Sequence, residues 1–280
     1  MSGEGPFLAV NSARGGSRTA ARAASVRRRH RVGVATFALL FAAWYALTTL
    51  TQTISPGRFP APAETWDALR QIVVTGYADA RLHAHILHSV KLVLLGFVAA
   101  TLVGVPLGLA MGASRAFEAF VNPAFLLIRP IPPLAWIPLA IVWFGLGDAA
   151  KVLIIWFAAF VPAVINSYSG VRTIEPHLLE AARMLGVSRG MFVREVLVPG
   201  AMPMIFTGLR LSLQACWTTL VAGELIGAIA GLGHVLYQAS LDIFPAMIVV
   251  GMATVAVTGA AMTMVLGRVE RQVLRWRVHR

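Results

Sequence analysis

Three ionisable side chains, Arg129, Arg210 and Glu224, lie within otherwise apolar stretches of the sequence. Charges at such positions are candidates for a solute or ion pathway, because a charge inside a bilayer is costly and is usually retained for a role. Long side chains also reach the membrane surface, so an interfacial position explains them equally well. Arg210 and Glu224 are fourteen residues apart, about 21 Å along an α-helix, and are not expected to pair within one helix.

Arg129 opens a proline-rich segment in which Pro130, Pro132 and Pro133 remove three backbone N–H donors within four positions. A helix broken in this way at membrane depth is tolerated only against protein or a water-filled cavity. The segment is therefore a candidate for the wall or gate of a pathway. A kinked packing helix, with Arg129 near the headgroups, is an equally supported alternative.

The histidines and the single cysteine form no recognisable metal or catalytic motif. His83, His85 and His88 end a connection that is predicted to contain an amphipathic surface helix, and the nearest acid, Asp79, comes four residues before His83. Histidines at a membrane interface explain this cluster better than a metal site does. Cys216 has no cysteine to pair with in this chain and is expected to act as a small packing residue.

The sequence also contains no phosphate-binding loop for a nucleotide. Such a loop needs Gly-Lys followed by Ser or Thr, with the lysine reaching the β- and γ-phosphates. The only lysines, Lys91 and Lys151, follow Val90 and Ala150. We therefore expect a chain that does not hydrolyse ATP, holds no cofactor itself and needs a separate ATPase.

The composition indicates which elements position these residues. Of the 280 residues, 58% are apolar and 13% are charged, and the mean hydropathy is +0.73. Soluble domains carry about 45–50% apolar and about 25% charged residues, and several uncharged runs here are long enough to cross a bilayer. The predicted fold class is an all-α integral membrane protein. Its six transmembrane helices are predicted at about residues 32–57, 92–112, 120–144, 152–171, 203–229 and 243–267.

The basic residues indicate the orientation of these spans. Seventeen lie in the two tails, the turn at Arg115 and the 169–202 segment, whereas four lie in connections on the opposite side. The positive-inside rule therefore places both termini and the 169–202 segment in the cytoplasm. We predict a basic, disordered tail over residues 1–32, a six-span domain over 33–267 and a second basic tail over 268–280. The tails favour an anionic membrane leaflet over nucleic acid as their partner.

Small residues recur every four positions in the second predicted span, at Ala100, Gly104, Gly108 and Gly112. This spacing places them on one helical face and lets a neighbouring backbone approach closely. The neighbour is either another helix of the same chain or a second subunit, and the spacing alone does not choose between them.

The segment between the fourth and fifth spans contains the most regular spacing in the chain. Pro176 suits a first helical turn and Gly186 a left-handed C-terminal cap, which predicts a short helix over residues 176–185. Ser188 is placed to cap a second short helix, and Pro199 is expected to end that helix before the fifth span. Two short helices with a bend make a compact plug that joins two spans.

This segment resembles the EAA loop of the membrane subunits of ABC importers. The family pattern is Glu-Ala-Ala, three residues, Gly, nine residues, then Ile, any residue, Leu and Pro. Glu180-Ala181-Ala182, Gly186 and Val196-Leu197-Val198-Pro199 keep this spacing, with valines in place of Ile and Leu. In that family the loop, here about residues 172–200, is a coupling helix seated in a cleft of the cytoplasmic ATPase. The positions that the resemblance implies for ATPase coupling are Glu180, Ala181, Ala182, Arg183, Leu185, Gly186, Ser188 and Arg189.

Further stretches look like one subgroup, the permeases for taurine, alkanesulfonates and nitrate, and most of all like the taurine permeases. Members of this subgroup also resemble one another, so the solute does not follow from the resemblance. The matching stretches are Ile54-Ser55-Pro56, Phe59-Pro60-Ala61-Pro62, the run from Arg129 to Pro138, Trp143-Phe144-Gly145, Gly208-Leu209-Arg210, Glu224-Leu225-Ile226 and Gly231-Leu232-Gly233.

The resemblance implies a homodimer of this chain in a bacterial inner membrane. Two cytoplasmic ATPase subunits would bind ATP and Mg, and a soluble extracytoplasmic protein would bind the solute. The implied activity is inward transport of a small anionic or zwitterionic solute by alternating access. One alternative is an ATP-independent secondary transporter, although the paired half-repeats typical of that class are not found here. The other is a membrane-embedded enzyme, which would need catalytic groups clustered near Glu224.

Overall fold

The computed structural model describes residues 32–51, 57–225 and 227–275, so the predicted tail over residues 1–32 lies almost wholly outside the described residues. These described residues are helices and their connections, and they form no sheet. The prediction of an all-α fold is confirmed. The chain divides into two compact units, Met1–Glu64 and Thr65–Arg280.

The first unit contains one apolar helix, α1 (Val32–Leu50), whose last part, Ala46–Leu50, is a π-helix. Trp44 of α1 contacts the segment that follows the helix. Its Nε1 donates a hydrogen bond to Pro60 O at 2.9 Å, and its ring meets Phe59 edge-on with centroids 6.0 Å apart. The first predicted span is therefore a helix of 19 residues, close to the roughly 20 residues that cross a hydrocarbon core.

The second unit is a helical bundle. Its first helix, α2 (Pro62–Val74), begins with the last three residues of the first unit. Its further helices are α3 (Leu82–Ala113), α4 (Arg115–Ile128), α5 (Ile137–Phe144), α6 (Asp148–Arg172), α7 (Pro176–Met184), α8 (Arg189–Leu225), α9 (Leu232–Leu241) and α10 (Pro245–Val273). Among the described residues, five helices are long and apolar enough to span a membrane: α1, α3, α6, α8 and α10. If the bent pair formed by α4 and α5 is counted as one span, the described residues contain six spans.

The bent pair is the third predicted span, and it is broken where the prolines indicated. α4 ends at Ile128, and a 3-10 turn at Pro133–Trp136 leads into α5. The two halves meet at an angle of 82°. Because the prolines supply no N–H donors, an α-helical hydrogen-bond ladder does not continue through residues 129–133.

The small face of α3 packs against α6 within this chain. A Cβ added to Gly108 would lie 2.4 Å from Val164 O, and one added to Gly112 would lie 2.6 Å from Val171 Cβ. Real Cβ atoms do not approach so closely, so glycine is required at both positions. The spacing that begins at Ala100 is therefore explained by contact between the second and fourth spans.

α6 is the central helix of the second unit, because α8 packs on it as α3 does. Ser212 Oγ donates a hydrogen bond to Ala159 O at 2.7 Å. Gly170 lies so close to α8 that an added Cβ would be 2.9 Å from Ala201 O. The buried apolar core that α3, α6 and α8 share includes Leu92, Ile155, Leu213 and Leu220.

The expected end of the second cytoplasmic helix at Pro199 is wrong. α8 runs without interruption from Arg189 to Leu225 and contains a π-helical stretch at Phe192–Leu197. Pro199 is the second residue of the regular α-helical part, Val198–Leu225. The π-helical stretch lies directly before Pro199, and such a local change in the hydrogen-bond ladder lets a helix continue past a proline, which has no N–H to donate.

Several predicted boundaries also shift. The amphipathic surface helix is α2 and ends at Val74, whereas His83, His85 and His88 belong to the first turns of α3. The fifth span ends at Leu225, four residues before its predicted end. α10 continues to Val273, so the first residues of the predicted tail over 268–280 are helical, and residues 276–280 lie outside the described part.

Candidate functional site

The segment after α6 forms the predicted short helix and its cap. α7 begins at Pro176, and Gly186 follows the helix at φ +64°. Val187 N–H donates to Ala182 O at 3.4 Å, the bond that closes a helix end around a left-handed glycine. Ser188 Oγ accepts from Met191 N–H at 3.4 Å and caps the start of α8. We call the end of the bundle that carries this segment the α7 end.

α7 has one exposed and one buried face. Glu180 and Ala181 are exposed, and Leu185, just after the helix, is 80% exposed. Ala182 is buried, and Leu179 packs on an apolar cluster formed by α6, α8 and their connections. The buried members of that cluster are Val171, Ile174, Leu197, Ala201 and Ile205. The helix is therefore fixed to the bundle on one side and open to a partner on the other.

A groove of about 510 Å³ separates α7 from the first turns of α8. Its walls are mainly apolar, and Glu195 contributes a carboxylate. The remaining lining residues are Leu178, Ala181, Ala182, Leu185, Val187, Met191, Val196, Pro199 and Gly200. Arg189 is exposed at the start of α8, and the side chain of Arg183 lies outside the described part. Of the predicted coupling positions, Ala181, Ala182 and Leu185 line this groove, whereas Glu180 is exposed outside its lining.

Glu118 links α4 to the end of α6 and was missed by the sequence analysis. Its carboxylate accepts hydrogen bonds from Tyr168 Oη and from Arg172. The Arg172 guanidinium also lies 5.4 Å from the centroid of the Tyr168 ring. Arg172 is the last residue of α6, immediately before the connection to α7. The contact partners lie 50 and 54 residues away from Glu118, so no local spacing reveals them.

The broken third span is held against α6 through aromatic side chains. The Trp136 ring stacks on Phe157 with centroids 4.1 Å apart and an interplanar angle of 10°. Arg129, Pro130 and Pro132 are exposed, and Pro133 is half-buried. Within the described part of the chain, the Arg129 side chain makes no hydrogen bond or ion pair. The break therefore presents a cation and a proline-rich turn on the surface of this subunit.

Glu224 is fully buried at the opposite end of the bundle, which we call the α9 end. Its Oε1 accepts a hydrogen bond from Ser89 Oγ at 2.8 Å, and its Oε2 accepts from Gly233 N–H at 2.7 Å. Ser89 Oγ in turn accepts from Leu232 N–H at 2.8 Å. The carboxylate therefore joins α3, α8 and the first turn of α9, and it does not extend to the surface.

His85 of α3 adds a further contact with the start of α9. Its Nδ1 accepts from Gly231 N–H at 3.2 Å, and its Nε2 lies 3.0 Å from Tyr77 O. An accepting Nδ1 leaves the ring proton on Nε2, where it is donated to the carbonyl. A Cβ at Gly231, whose φ is +125°, would lie 2.1 Å from Glu224 Oε1. Glycine is thus required beside the carboxylate. His85 is therefore a buried residue that holds the start of α9 against α3.

A second polar group lies nearby at the α9 end. Asp148 Oδ1 is 3.3 Å from His88 Nε2 and 3.5 Å from Lys151 Nζ. Lys151 is buried although the sequence places it in a connection between spans. Throughout residues 32–51, 57–225 and 227–275, no three His, Cys, Asp or Glu side chains are grouped so that they could hold a metal ion.

Arg210, the remaining charged candidate, lies near the middle of α8. It forms an ion pair with Glu270 of α10. Arg210 and Glu224 are therefore far apart on α8, as the helical rise predicted, and each has a partner on another element. Sequence spacing indicated the separation but did not indicate the partners.

The bundle and its exposed α7 define a multi-span membrane subunit that has no nucleotide-binding loop of its own. Residues 104–276 match the family model described as the inner membrane component of binding-protein-dependent transport systems. The chain belongs to this family of ABC transporter permeases and is a non-catalytic membrane subunit of such a transporter.

Two curated relatives define its position within the family. The chain is 36% identical over 250 residues to the taurine transport system permease protein TauC of Escherichia coli, covering 89% of this chain and 90% of that one. It is 30% identical over 240 residues to the putative aliphatic sulfonates transport permease protein SsuC of Bacillus subtilis, covering 86% and 85%. The resemblance to the taurine and sulfonate subgroup is confirmed.

A solved structure has the same fold. A chain of the MetNI methionine ABC transporter in an inward-facing conformation matches 69% of this chain and 95% of its own length, with a TM-score of 0.54 and 21% sequence identity. This likeness concerns the arrangement of helices alone.

Proposed function

We propose that this chain is the permease of an ATP-driven importer for a small anionic or zwitterionic solute of the taurine, alkanesulfonate or nitrate class. Two copies enclose the pathway, and two ATPase subunits bind α7 from the cytoplasm. A soluble binding protein delivers the solute at the α9 end. The observation that carries the proposal is the exposed face of α7, with Glu180 and Ala181 presented beside a helix end fixed by Gly186.

The orientation in this proposal comes from charge. By sequence, most of the basic residues outside the spans lie in the two tails, the turn at Arg115 and the 169–202 segment that contains α7, which favours the cytoplasmic side of the inner membrane for this segment and for both termini. ATP and Mg then bind to the partner ATPase, on the same side as α7. The taurine and sulfonate relatives support the solute class.

Two sets of contacts would transmit a movement of α7 to the membrane-spanning helices. Leu179 and Ala182 join α7 to the cluster at the end of α6 and the start of α8. Arg172, just before α7, joins α6 to α4 through Glu118. Closure of the ATPase pair would therefore displace α8 and the broken third span together, and alternating access is the expected result.

We propose that the broken span is the gate of this pathway. Arg129, Pro130, Pro132 and Pro133 face away from the bundle interior or lie at its edge, where a second copy would enclose them. The exposed guanidinium of Arg129 provides positive potential that favours an anion. Arg210 and Glu224 belong to α8, and Glu224 holds the mouth of the pathway at the α9 end.

Charge reversal on α7 tests the proposal. We expect Glu180→Arg to abolish co-purification of the ATPase and to reduce solute uptake at least tenfold, because it places a cation on the contact surface. Gly186→Pro should act similarly, since proline does not adopt φ +64°. Glu175→Arg is the matched control: it reverses an exposed carboxylate five residues earlier and should retain the ATPase.

Three results would contradict this function. Full ATPase binding and uptake by correctly inserted Glu180→Arg would reject the role of α7. ATP-independent uptake by this chain alone would favour the secondary transporter. A binding protein from the same system that prefers an uncharged or cationic solute would reject the solute class and leave the coupling role intact.

A further inference from the structure

A long groove runs between α8 and α10 in the second unit. It encloses about 620 Å³ and is mainly apolar. Small residues of α10, Ala256, Gly259 and Ala260, form one wall, and Trp217 and Val221 of α8 lie on the other. Its volume and mainly apolar lining suit a flexible apolar chain.

The groove ends at a cluster of arginines. Arg210 of α8 lines both the groove and an adjoining cavity of about 590 Å³, where it meets Arg268 and Arg271 of α10. Glu270 is the acid of this cavity and is paired with Arg210. Two positive charges remain in excess, and Arg268 and Arg271 lie three residues apart on one helix, where like charges repel. An anion at this point would remove the repulsion.

We propose that this groove is a binding site for an anionic phospholipid. The phosphate lies among Arg210, Arg268 and Arg271, and one acyl chain lies along the groove between α8 and α10. Guanidinium groups bind phosphate oxygens through paired, charge-assisted hydrogen bonds. Basic pockets between spans at the cytoplasmic surface bind acidic lipid headgroups. The lipid site itself does not depend on the proposed orientation of the chain. That orientation decides only which leaflet of the membrane supplies the lipid.

Charge also favours a lipid over a second copy of this chain as the occupant. A second copy carries the same formal net charge of +12, and its α7 end is as basic as this one. Glu118, an acid near that end, is already bound to Arg172. An acidic phospholipid supplies both the negative charge and the apolar chain that the groove requires.

Lipid titration of the membrane-extracted complex tests the site. The full chain, with the subunits that accompany it, is titrated in detergent with tetraoleoyl cardiolipin or dioleoyl phosphatidylcholine, and bound lipids are counted by native mass spectrometry. We expect cardiolipin to bind at least tenfold more tightly than phosphatidylcholine. Arg268→Gln with Arg271→Gln should remove this preference. Arg115→Gln with Arg275→Gln, which removes equal charge outside the cavity lining, should retain it.

A second pair of variants tests the acyl chain separately. Ala256→Leu with Ala260→Leu fills the groove and keeps every arginine, so it should weaken cardiolipin binding several-fold. Inorganic phosphate and taurine at millimolar concentration should not displace the lipid, because neither fills the groove. Displacement by either would identify a free anion as the ligand and overturn the proposal.

Two further outcomes would also overturn it. Equal cardiolipin binding by the Arg268/Arg271 variant and its control would show that the arginines do not hold the headgroup. Unchanged lipid binding by the groove-filling variant, with loss of the dimer in the same mass spectra, would show that a second copy covers the groove. Failure of the coupling experiment on Glu180 leaves these measurements unaffected, so the two proposals fail separately.

Discussion

At the scale of residues, three side chains cap a helix to which they do not belong. His85, Ser89 and Glu224 accept hydrogen bonds from the N–H groups of Gly231, Leu232 and Gly233, at the first turn of α9. The N–H groups that begin a helix have no partner within it. Here α3 and α8 supply the partners from outside, so the connection between the fifth and sixth spans is fixed by buried polar contacts.

Glu224→Ala should therefore destabilise the protein. It leaves Gly233 N–H without its acceptor and Ser89 Oγ without its acceptor, and each buried group left unsatisfied costs about 1–3 kcal/mol. Thermal unfolding of the detergent-solubilised protein measures the loss. Because Ser89 and Glu224 share one network, the double variant with Ser89→Ala should cost less than the sum of the single variants.

Glu175→Ala is the control for that measurement. Its carboxylate is exposed and is paired with His177 at 3.1 Å, so the change should alter stability by less than about 0.5 kcal/mol. Equal effects of the two glutamate variants would show that the buried contacts of Glu224 do not stabilise the connection.

At the scale of elements, α4, α6 and α7 are joined by polar side chains at one end of the bundle. The Glu118 carboxylate accepts hydrogen bonds from both Tyr168 and Arg172. Arg172 ends α6, and the connection to α7 begins at the next residue. A displacement of α7 therefore pulls on the first turn of α4, and α4 leads directly into the bend of 82°. In the proposed transport cycle, this chain of contacts would let the broken span follow the ATPase.

Loss of the ion pair between Glu118 and Arg172 should uncouple solute uptake from ATP hydrolysis. We expect Arg172→Gln to lower solute uptake several-fold while ATP hydrolysis by the assembled transporter stays within about twofold, because α7 still binds the ATPase but no longer moves α4. Uptake and hydrolysis are measured on the same proteoliposomes. Exchange of the charges in the double variant Glu118→Arg, Arg172→Glu should recover part of the uptake. Parallel loss of both activities in Arg172→Gln would show that the pair acts on ATPase binding.

The elements that sequence predicted well are those set by neighbouring residues. The helix over 176–185, the caps at Gly186 and Ser188 and the break in the third span all follow from local proline, glycine and serine chemistry. The buried contact of His85 was missed because its partner Gly231 is 146 residues away. Pro199 was misjudged because a π-helical stretch precedes it, and that stretch leaves no local signature in the sequence.

At the scale of the whole molecule, the bundle has two chemically different ends. The α7 end exposes one face of α7, whereas the α9 end is closed by the buried contacts of Glu224. The family establishes a multi-pass inner membrane subunit, and the charge asymmetry gives the proposed direction. That direction is open to a direct measurement because Cys216 is buried.

Thiol labelling in whole cells should show opposite sides for two exposed positions. Asp67→Cys, on α2, should react with a membrane-impermeant maleimide once the outer barrier is removed, and His177→Cys, on α7, should react only after the inner membrane is opened. The unmodified chain is the control and should not react, since the Cys216 thiol is inaccessible. Labelling of His177→Cys in sealed cells would reverse the proposed orientation.

The seam between α3 and α6 limits how this protein can change shape. At Gly108 the two backbones touch with no side chain between them, so any larger residue there would force the two helices apart. We expect the two helices to move together during a transport cycle. The rearrangement that opens or closes a passage would then be taken up by the parts around this pair.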